Sequence, residues 1–307
     1  MKNVLVTGAN GFVGAALCKE LSLAGVNVIA VVRNEMSDVS KIEGIGHVRI
    51  VYSDMKDYSY LDSLLSGESI DAAYHLSWEG SAGPLRGEEK TQLENVQYSC
   101  DLLRACARLG CKRFIFASSI MIYEVEALVK TGKTLPINTI YATAKLTAGY
   151  MLKAIAARYG VEYNGGVISN IYGPGEDSPR LINSSLRKLL ILGAHCSFTD
   201  GEQLYDFIYL TDAAKAFFDI GDKGKPNIDY YIGNADPRPL KEYLLEMGSV
   251  INCTHEIGLG ELNFDGVSLS YDEIEINRLS EDTGFSCNVS FREGIKLTAE
   301  WIRKDNK

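Results

Sequence analysis

Residues 7 to 14 read Thr-Gly-Ala-Asn-Gly-Phe-Val-Gly, directly after the apolar run Val4-Leu5-Val6 and directly before a helical pattern over 12–24 that Gly25 closes. Glycines at 8, 11 and 14 permit a tight turn, close approach of a pyrophosphate to the backbone, and close packing of helix on strand. The helix N-terminus adds free N–H groups and the positive end of its dipole. The expectation is a dinucleotide seated on Gly8, Asn10, Gly11, Phe12, Val13 and Gly14. A purely structural turn is the competing reading, and the place of the loop inside a strand–helix–strand unit weighs against it.

Beyond this loop, short β-branched runs alternate with longer helical patterns. Strands are expected over 4–7, 26–32, 47–52, 70–76, 113–117 and 161–169, and helices over 55–65, 91–109 and 139–159. That alternation predicts an α/β fold, a doubly wound parallel sheet covered on both faces. It weakens after a Gly-Pro-Gly turn at 173–175, leaving a basic helical stretch over 184–192 and mixed elements. The division expected is a dinucleotide-binding domain over 1–166, with a returning segment near 206–233, and a smaller substrate-binding lobe over most of 167–307.

Length and charge bound the function. At 307 residues, 46% hydrophobic and 23% charged, the chain can bury a large core, and its net charge of −9 has the wrong sign for a general nucleic-acid or membrane-surface binder. The seven cysteines, at 18, 100, 106, 111, 196, 253 and 287, form no Cys-x-x-Cys pair and no metal-like spacing, so no metal is expected. With no leader pattern at its start and no apolar run of membrane-spanning length, the chain is expected in a reducing cytoplasm.

The second strand ends in Val31-Val32-Arg33-Asn34, where an NAD site would place an acid to accept from the adenosine 2′-hydroxyl. Arg33 instead suits a 2′-phosphate, which favours NADP with NAD as the alternative; a solvated strand-end cation is the bland reading. Asp54 is placed either to reach the adenine edge or to cap the helix that begins at Met55. Tyr141 and Lys145 stand four apart on one helix face, where an ammonium lowers a phenol's pKa and makes it a proton shuttle. Ser118 and Ser119 follow the fifth strand, where ligands bind in open α/β sheets, and either hydroxyl can hold a substrate oxygen or simply cap a turn.

Taken with Asp71 to Ser77, Asn95-Val96, Phe116 to Ser119 with Tyr123, Asn170-Ile171-Tyr172-Gly173-Pro174-Gly175, Asp206-Phe207-Ile208-Tyr209 with Asp212, and Glu293-Gly294-Ile295 with Trp301, these motifs resemble the extended short-chain dehydrogenase/reductases. Within that class the resemblance is to the NAD-dependent epimerase/dehydratase group acting on nucleotide sugars. It covers essentially the whole chain and implies a Rossmann-type sheet. It implies Ser119, Tyr141 and Lys145 as the catalytic trio, and Met55, Leu76, Ser77, Ser118 and Ile168 beside the cofactor. Asn170, Arg180 and Tyr205 would meet the sugar nucleotide, and a homodimer would form through the helices over 91–109 and 139–159.

Departures from the family pattern narrow the expectation. The 4,6-dehydratases carry an Asp-Glu pair where this chain has Ile120-Met121, and apolar side chains cannot perform general acid–base elimination. Val167 and Tyr205 stand where the family usually has arginines, so Arg180, Arg187 and Lys188 are either compensating charge or a solvated helix face. Trp78, after the fourth strand, either covers the substrate or packs as a core aromatic, and His75 reads as a structural residue. The leading expectation is an NADP-dependent reductase of a 4-keto nucleotide sugar. A nucleotide-sugar 4-epimerase is the alternative, and a non-catalytic NADP-binding regulator the third reading.

Overall fold

The computed structural model describes residues 1–253 and 257–305. In chain order its first half runs β1 Asn3–Thr7, α1 Phe12–Leu23, β2 Asn27–Val32, β3 Val48–Tyr52, α2 Leu61–Leu64, β4 Ala72–His75, α3 Glu89–Arg108, β5 Arg113–Ser119, α4 Met121–Lys130, α5 Thr139–Tyr159 and β6 Glu162–Ile168. The remainder runs β7 Asn170–Tyr172, α6 Leu181–Arg187, β8 Cys196–Ser197, β9 Leu204–Tyr205, β10 Phe207–Tyr209, α7 Leu210–Lys223, β11 Ile228–Ile232, β12 Arg238–Pro239, α8 Leu240–Val250, β13 Ile257–Gly258, α9 Arg278–Thr283 and α10 Phe291–Asp305.

Seven strands form one parallel sheet in the order β11-β6-β5-β4-β1-β2-β3. Chain order reverses between β1 and β4, which opens a crevice at the carboxyl ends of those strands. Alternation along each strand divides the core. Val4, Val6, Val28 and Ala30 face α1 and α7 on one side, while Leu5, Ile29 and Val31 face α3 and α5 on the other. A third apolar cluster, built on Tyr172, Leu186, Phe207, Tyr243 and Ile295, joins β7, α6, β10, α8 and α10.

Local chemistry sets the boundaries. Gly160 closes α5 in the left-handed region at φ 67°, and the helical stretch over 55–65 divides into a 3₁₀ turn, Met55–Tyr60, and the short α2. Two elements depart from the sequence reading. Helix α4 occupies a stretch given no element, with Ile122, Val125 and Leu128 turned inward, and α7 buries Ala213, Ala216, Phe217 and Ile220 against the sheet before β11 joins its edge. All seven cysteines are free thiols, and no helix among the described residues is long and apolar enough to cross a membrane.

Candidate active site

Gly8 adopts φ +64°, and a Cβ there would meet the Ser77 nitrogen at 2.8 Å; one on Gly14 would stand 2.1 Å from the Gly8 carbonyl oxygen. The Gly11 N–H donates to Gly8 O at 3.0 Å, closing the turn, and no side chain caps the N-terminus of α1. Its first N–H groups therefore point free into a cavity of about 380 Å³. A buried relay fixes the cavity floor. Tyr58 Oη meets Ser77 Oγ at 3.0 Å, Ser77 Oγ donates to Thr7 Oγ1 at 3.1 Å, Thr7 meets His75 Nδ1 at 2.9 Å, and His75 Nε2 meets Ser99 Oγ at 2.7 Å. Because Ser99 donates onward to Asn95 O, His75 donates through Nε2 and accepts at Nδ1 as a neutral ring. Burial, with the Lys145 charge, holds its pKa down at about 3, and the ring is structural as expected.

This first cavity gathers Gly8, Asn10, Gly11, Phe12, Val13, Gly14, Arg33, Met55, Leu76, Ser77, Ser118, Tyr141, Lys145 and Ile168, every residue assigned to the dinucleotide except Asp54. Asp54 is used otherwise, its carboxylate accepting from Lys56 N–H to cap the 3₁₀ turn. Arg33 reaches the cavity wall and also pairs with Glu79. Trp78, expected either over the substrate or packed as a core aromatic, lines this first cavity and not the second, its indole N–H donating to Gln92 Oε1 at 2.8 Å and its ring lying 3.7 Å beneath Lys145 Nζ.

A second cavity, of about 350 Å³, opens beside the first and shares Val13, Ser81, Ser118, Tyr141, Ile168 and Arg180 with it. Ser119, Asn170 and Tyr205 line it, together with Ile120 and Met121, so the segment that would carry an acid–base pair in a dehydratase presents only apolar side chains. Arg180 Nε pairs with Glu176 at 3.1 Å; Arg187 pairs with Asp177 and stacks on Trp301, and neither Arg187 nor Lys188 lines either of these two cavities. Asn170 Nδ2 donates to Asp206 O at 3.3 Å. Behind it the Asp206 carboxylate accepts from Tyr231 Oη and Ala235 N–H, and burial pushes its pKa up to about 6.

The expected coupling of Tyr141 to Lys145 takes another form. Lys145 donates to Ala117 O at 2.8 Å, its Nζ stands 6.0 Å from the Tyr141 ring centre, and burial holds the amine well below its ordinary range. Burial raises the Tyr141 phenol, and the guanidiniums of Arg180 and Arg86 and the Ser119 hydroxyl act against that rise. The sequence reading did not single out Arg86, which sits in a stretch without a motif; its guanidinium carbon lies 4.7 Å from the Tyr141 ring centre. Glu176 and Ser178, which complete the first cavity, were likewise not singled out; they lie in the loop before Arg180.

Comparison with known proteins places this geometry. The family model described as NAD dependent epimerase/dehydratase matches residues 4–233. A UDP-N-acetyl-alpha-D-glucosaminuronate decarboxylase of Bacillus cytotoxicus is 27% identical over 99% of this chain and 98% of its own length. A trifunctional UDP-glucose 4,6-dehydratase/UDP-4-keto-6-deoxy-D-glucose 3,5-epimerase/UDP-4-keto-L-rhamnose-reductase of Arabidopsis thaliana is 24% identical over 99% of this chain, which spans about half, 47%, of that protein. Among solved structures, UDP-glucose 4-epimerase of Thermotoga maritima superposes with a TM-score of 0.82 at 23% identity, covering 99% of this chain and 100% of that one.

Proposed function

The chain belongs to the NAD-dependent epimerase/dehydratase family, an enzyme family of the extended short-chain dehydrogenase/reductase type, and from that premise we propose that it reduces the 4-keto group of a nucleotide-activated hexose with NADPH. The observation that carries this reading is the position of Tyr141, the one ionisable phenol shared by the two cavities, with Ser118 shared beside it and Ser119 in the second. The glycine cradle, where a Cβ on Gly8 would collide with the Ser77 backbone, and the uncapped N-terminus of α1 suit a dinucleotide pyrophosphate. The nicotinamide cofactor supplies a hydride when bound.

The chain's own residues supply the rest. Tyr141 donates its phenolic proton to the C4 oxygen as that carbon is reduced, leaving a phenolate. Ser119 donates a hydrogen bond to the same oxygen, and Lys145, which lines the first cavity, would hold ribose hydroxyls of the bound cofactor. Ile120 and Met121 supply no acid or base for removing water, which argues against a 4,6-dehydratase and for hydride transfer alone. NADP is the reading of Arg33. UDP-glucose 4-epimerase chemistry is the second reading, favoured by the likeness to the Thermotoga maritima fold. Homodimerisation belongs to the same proposal, supported by the exposed apolar side chains of Leu93 on α3 and of Tyr150 and Met151 on α5; sedimentation at the mass of a single chain would remove it.

The test is turnover of NADPH with a nucleotide-linked 4-keto-6-deoxyhexose, followed at the nicotinamide absorbance. Tyr141→Phe is expected to lower kcat by about 10²–10⁴-fold. Cofactor retained through gel filtration, together with equilibration of a UDP-hexose with its C4 epimer and no net NADPH oxidation, would replace the reductase with the epimerase. Function undiminished in Tyr141→Phe would point to a non-catalytic regulator.

A further inference from the structure

The stretch between β4 and α3 carries no recognised motif, yet it is held firmly. Gln92 Nε2 donates to the carbonyls of Glu79, Gly80 and Leu85, and Asn95 takes both the Glu79 N–H and the Glu79 carbonyl. These bonds bring Arg86 to the wall of the second cavity. Its guanidinium lies over the Tyr141 ring at 4.7 Å, and Nη2 touches Met121 Sδ, a weak acceptor. Its Nε is buried without a hydrogen-bond partner, and among the described residues no carboxylate comes within ion-pair distance of it. A guanidinium left so poorly matched is costly unless the site uses its charge.

We propose that Arg86 is a positioning residue for Tyr141: stacked on the phenol, it fixes the ring between the two cavities and stabilises the negative charge left when the proton passes to the substrate. This rests on the proton-donor reading above. The groups around the phenol favour Arg86 over its neighbours. Lys145 on α5 is 6.0 Å from the ring centre and bonded to Ala117 O, and burial disfavours its charged form. Arg180, before α6, opposes the rise caused by burial more than Arg86 does in charge alone, but its Nε is paired with Glu176 and its side chain is 40% exposed, where solvent screens it, and it makes no contact with the ring face. Trp78 meets the ring edge-on at 6.2 Å, and Ser119 on β5 offers a neutral hydroxyl. Glu124 on α4, half-buried, faces Arg86; burial pulls its carboxyl up and the guanidinium pulls it down. Arg86 is thus the cation in stacking contact with the reacting phenol and without a paired carboxylate.

The experiment replaces Tyr141 with 3,5-difluorotyrosine, a more acidic phenol with a single ¹⁹F signal, and titrates it without substrate. Arg86→Gln is expected to raise the midpoint by about one pH unit. Arg86→Lys, which keeps the charge and loses the planar stack, is expected to raise it by less than half of that. In turnover, Arg86→Gln should lower kcat about tenfold with KM within about twofold, because a weaker acid transfers its proton less readily. A midpoint unchanged in Arg86→Gln overturns the proposal. Should that variant fail to fold, Arg86→Met, which removes the charge and keeps most of the volume, takes its place, and an unchanged midpoint there overturns the proposal equally. If the midpoint moves while Tyr141→Phe keeps full turnover, the coupling stands and the proton-donor reading falls.

Discussion

The two cavities that meet at Tyr141 are built by different means. The first has one wall of backbone, the glycine turn and helix N-terminus at 8–14, set against side chains near residues 31–33, 53–58, 76–81, 117–118, 141–145, 168 and 176–180; the second is walled by side chains from seven separated segments, near residues 13, 81–86, 118–121, 141, 168–171, 179–182 and 205–207. A backbone wall leaves no room for added atoms, whereas a side-chain wall can change one group at a time. The sharpest way to break that contrast is Gly14→Ala. Its Cβ would stand 2.1 Å from Gly8 O and 2.8 Å from Gly8 C, so strand and helix must move apart. A loss of about 2–3 kcal/mol of stability and at least about a tenfold loss of dinucleotide affinity are expected. Tyr205→Phe in the second cavity should stay within about 0.5 kcal/mol of wild type. Denaturant melts and a dinucleotide titration of both variants decide it; a Gly14→Ala protein with normal stability and binding would erase the distinction.

The same two regions hold buried titratable groups that respond to pH with opposite sign. His75, under the first cavity, has its pKa lowered from 6.5 to about 3, so its contribution is full above about 6.5 and is lost as pH falls toward 3. Asp206, behind the second, has its pKa raised from 3.8 to about 6, so its contribution is present below about 4 and is lost as pH rises to 6. Between pH 4.5 and 6 the two slopes oppose, each by up to about 1.4 kcal/mol per pH unit. Asp206→Asn should make stability climb more steeply with pH across this window, and His75→Gln should make it fall. Urea unfolding at three pH values reads the slopes, which are independent of any constant loss from the substitution. Parallel slopes in both variants would show that neither group titrates as its burial requires.

How far each region was legible in the sequence follows from this construction. The glycine loop, the ends of β1, β4 and β5, and the pair Tyr141 and Lys145 were readable because a backbone wall depends on local spacing: one turn, one strand end, one helix face. Asp54 was ambiguous because an aspartate after a strand serves an adenine or a helix cap equally well, and the cap is what the geometry uses. Trp78 fell on the other side of Tyr141 because Lys145 and Gln92, fourteen and more residues away, hold it there. Arg86 had no signal, since its position depends on hydrogen bonds from Gln92 and Asn95 that no spacing rule describes. Helix α4 did have one, with Ile122, Val125 and Leu128 at helical spacing.

The smallest expected effect lies at the rim of the first cavity, where the wall changes from backbone to side chain. Arg33 is half exposed and pairs with Glu79, a pair of the kind that contributes at most about 1 kcal/mol in water. A 2′-phosphate can therefore draw the guanidinium away at little cost, but the Glu79 carboxylate stays close to it and repels the same phosphate. The expected preference for NADPH over NADH is in consequence only several-fold. Glu79→Gln should widen it by about three- to tenfold by removing the repulsion, and Arg33→Ala should abolish it. Fluorescence titrations with both dinucleotides on the three proteins, repeated at higher salt where the differences should shrink, provide the measurement. An Arg33→Ala protein that keeps the wild-type preference would assign cofactor choice to the backbone wall, and one that prefers NADH would leave it with the side chains.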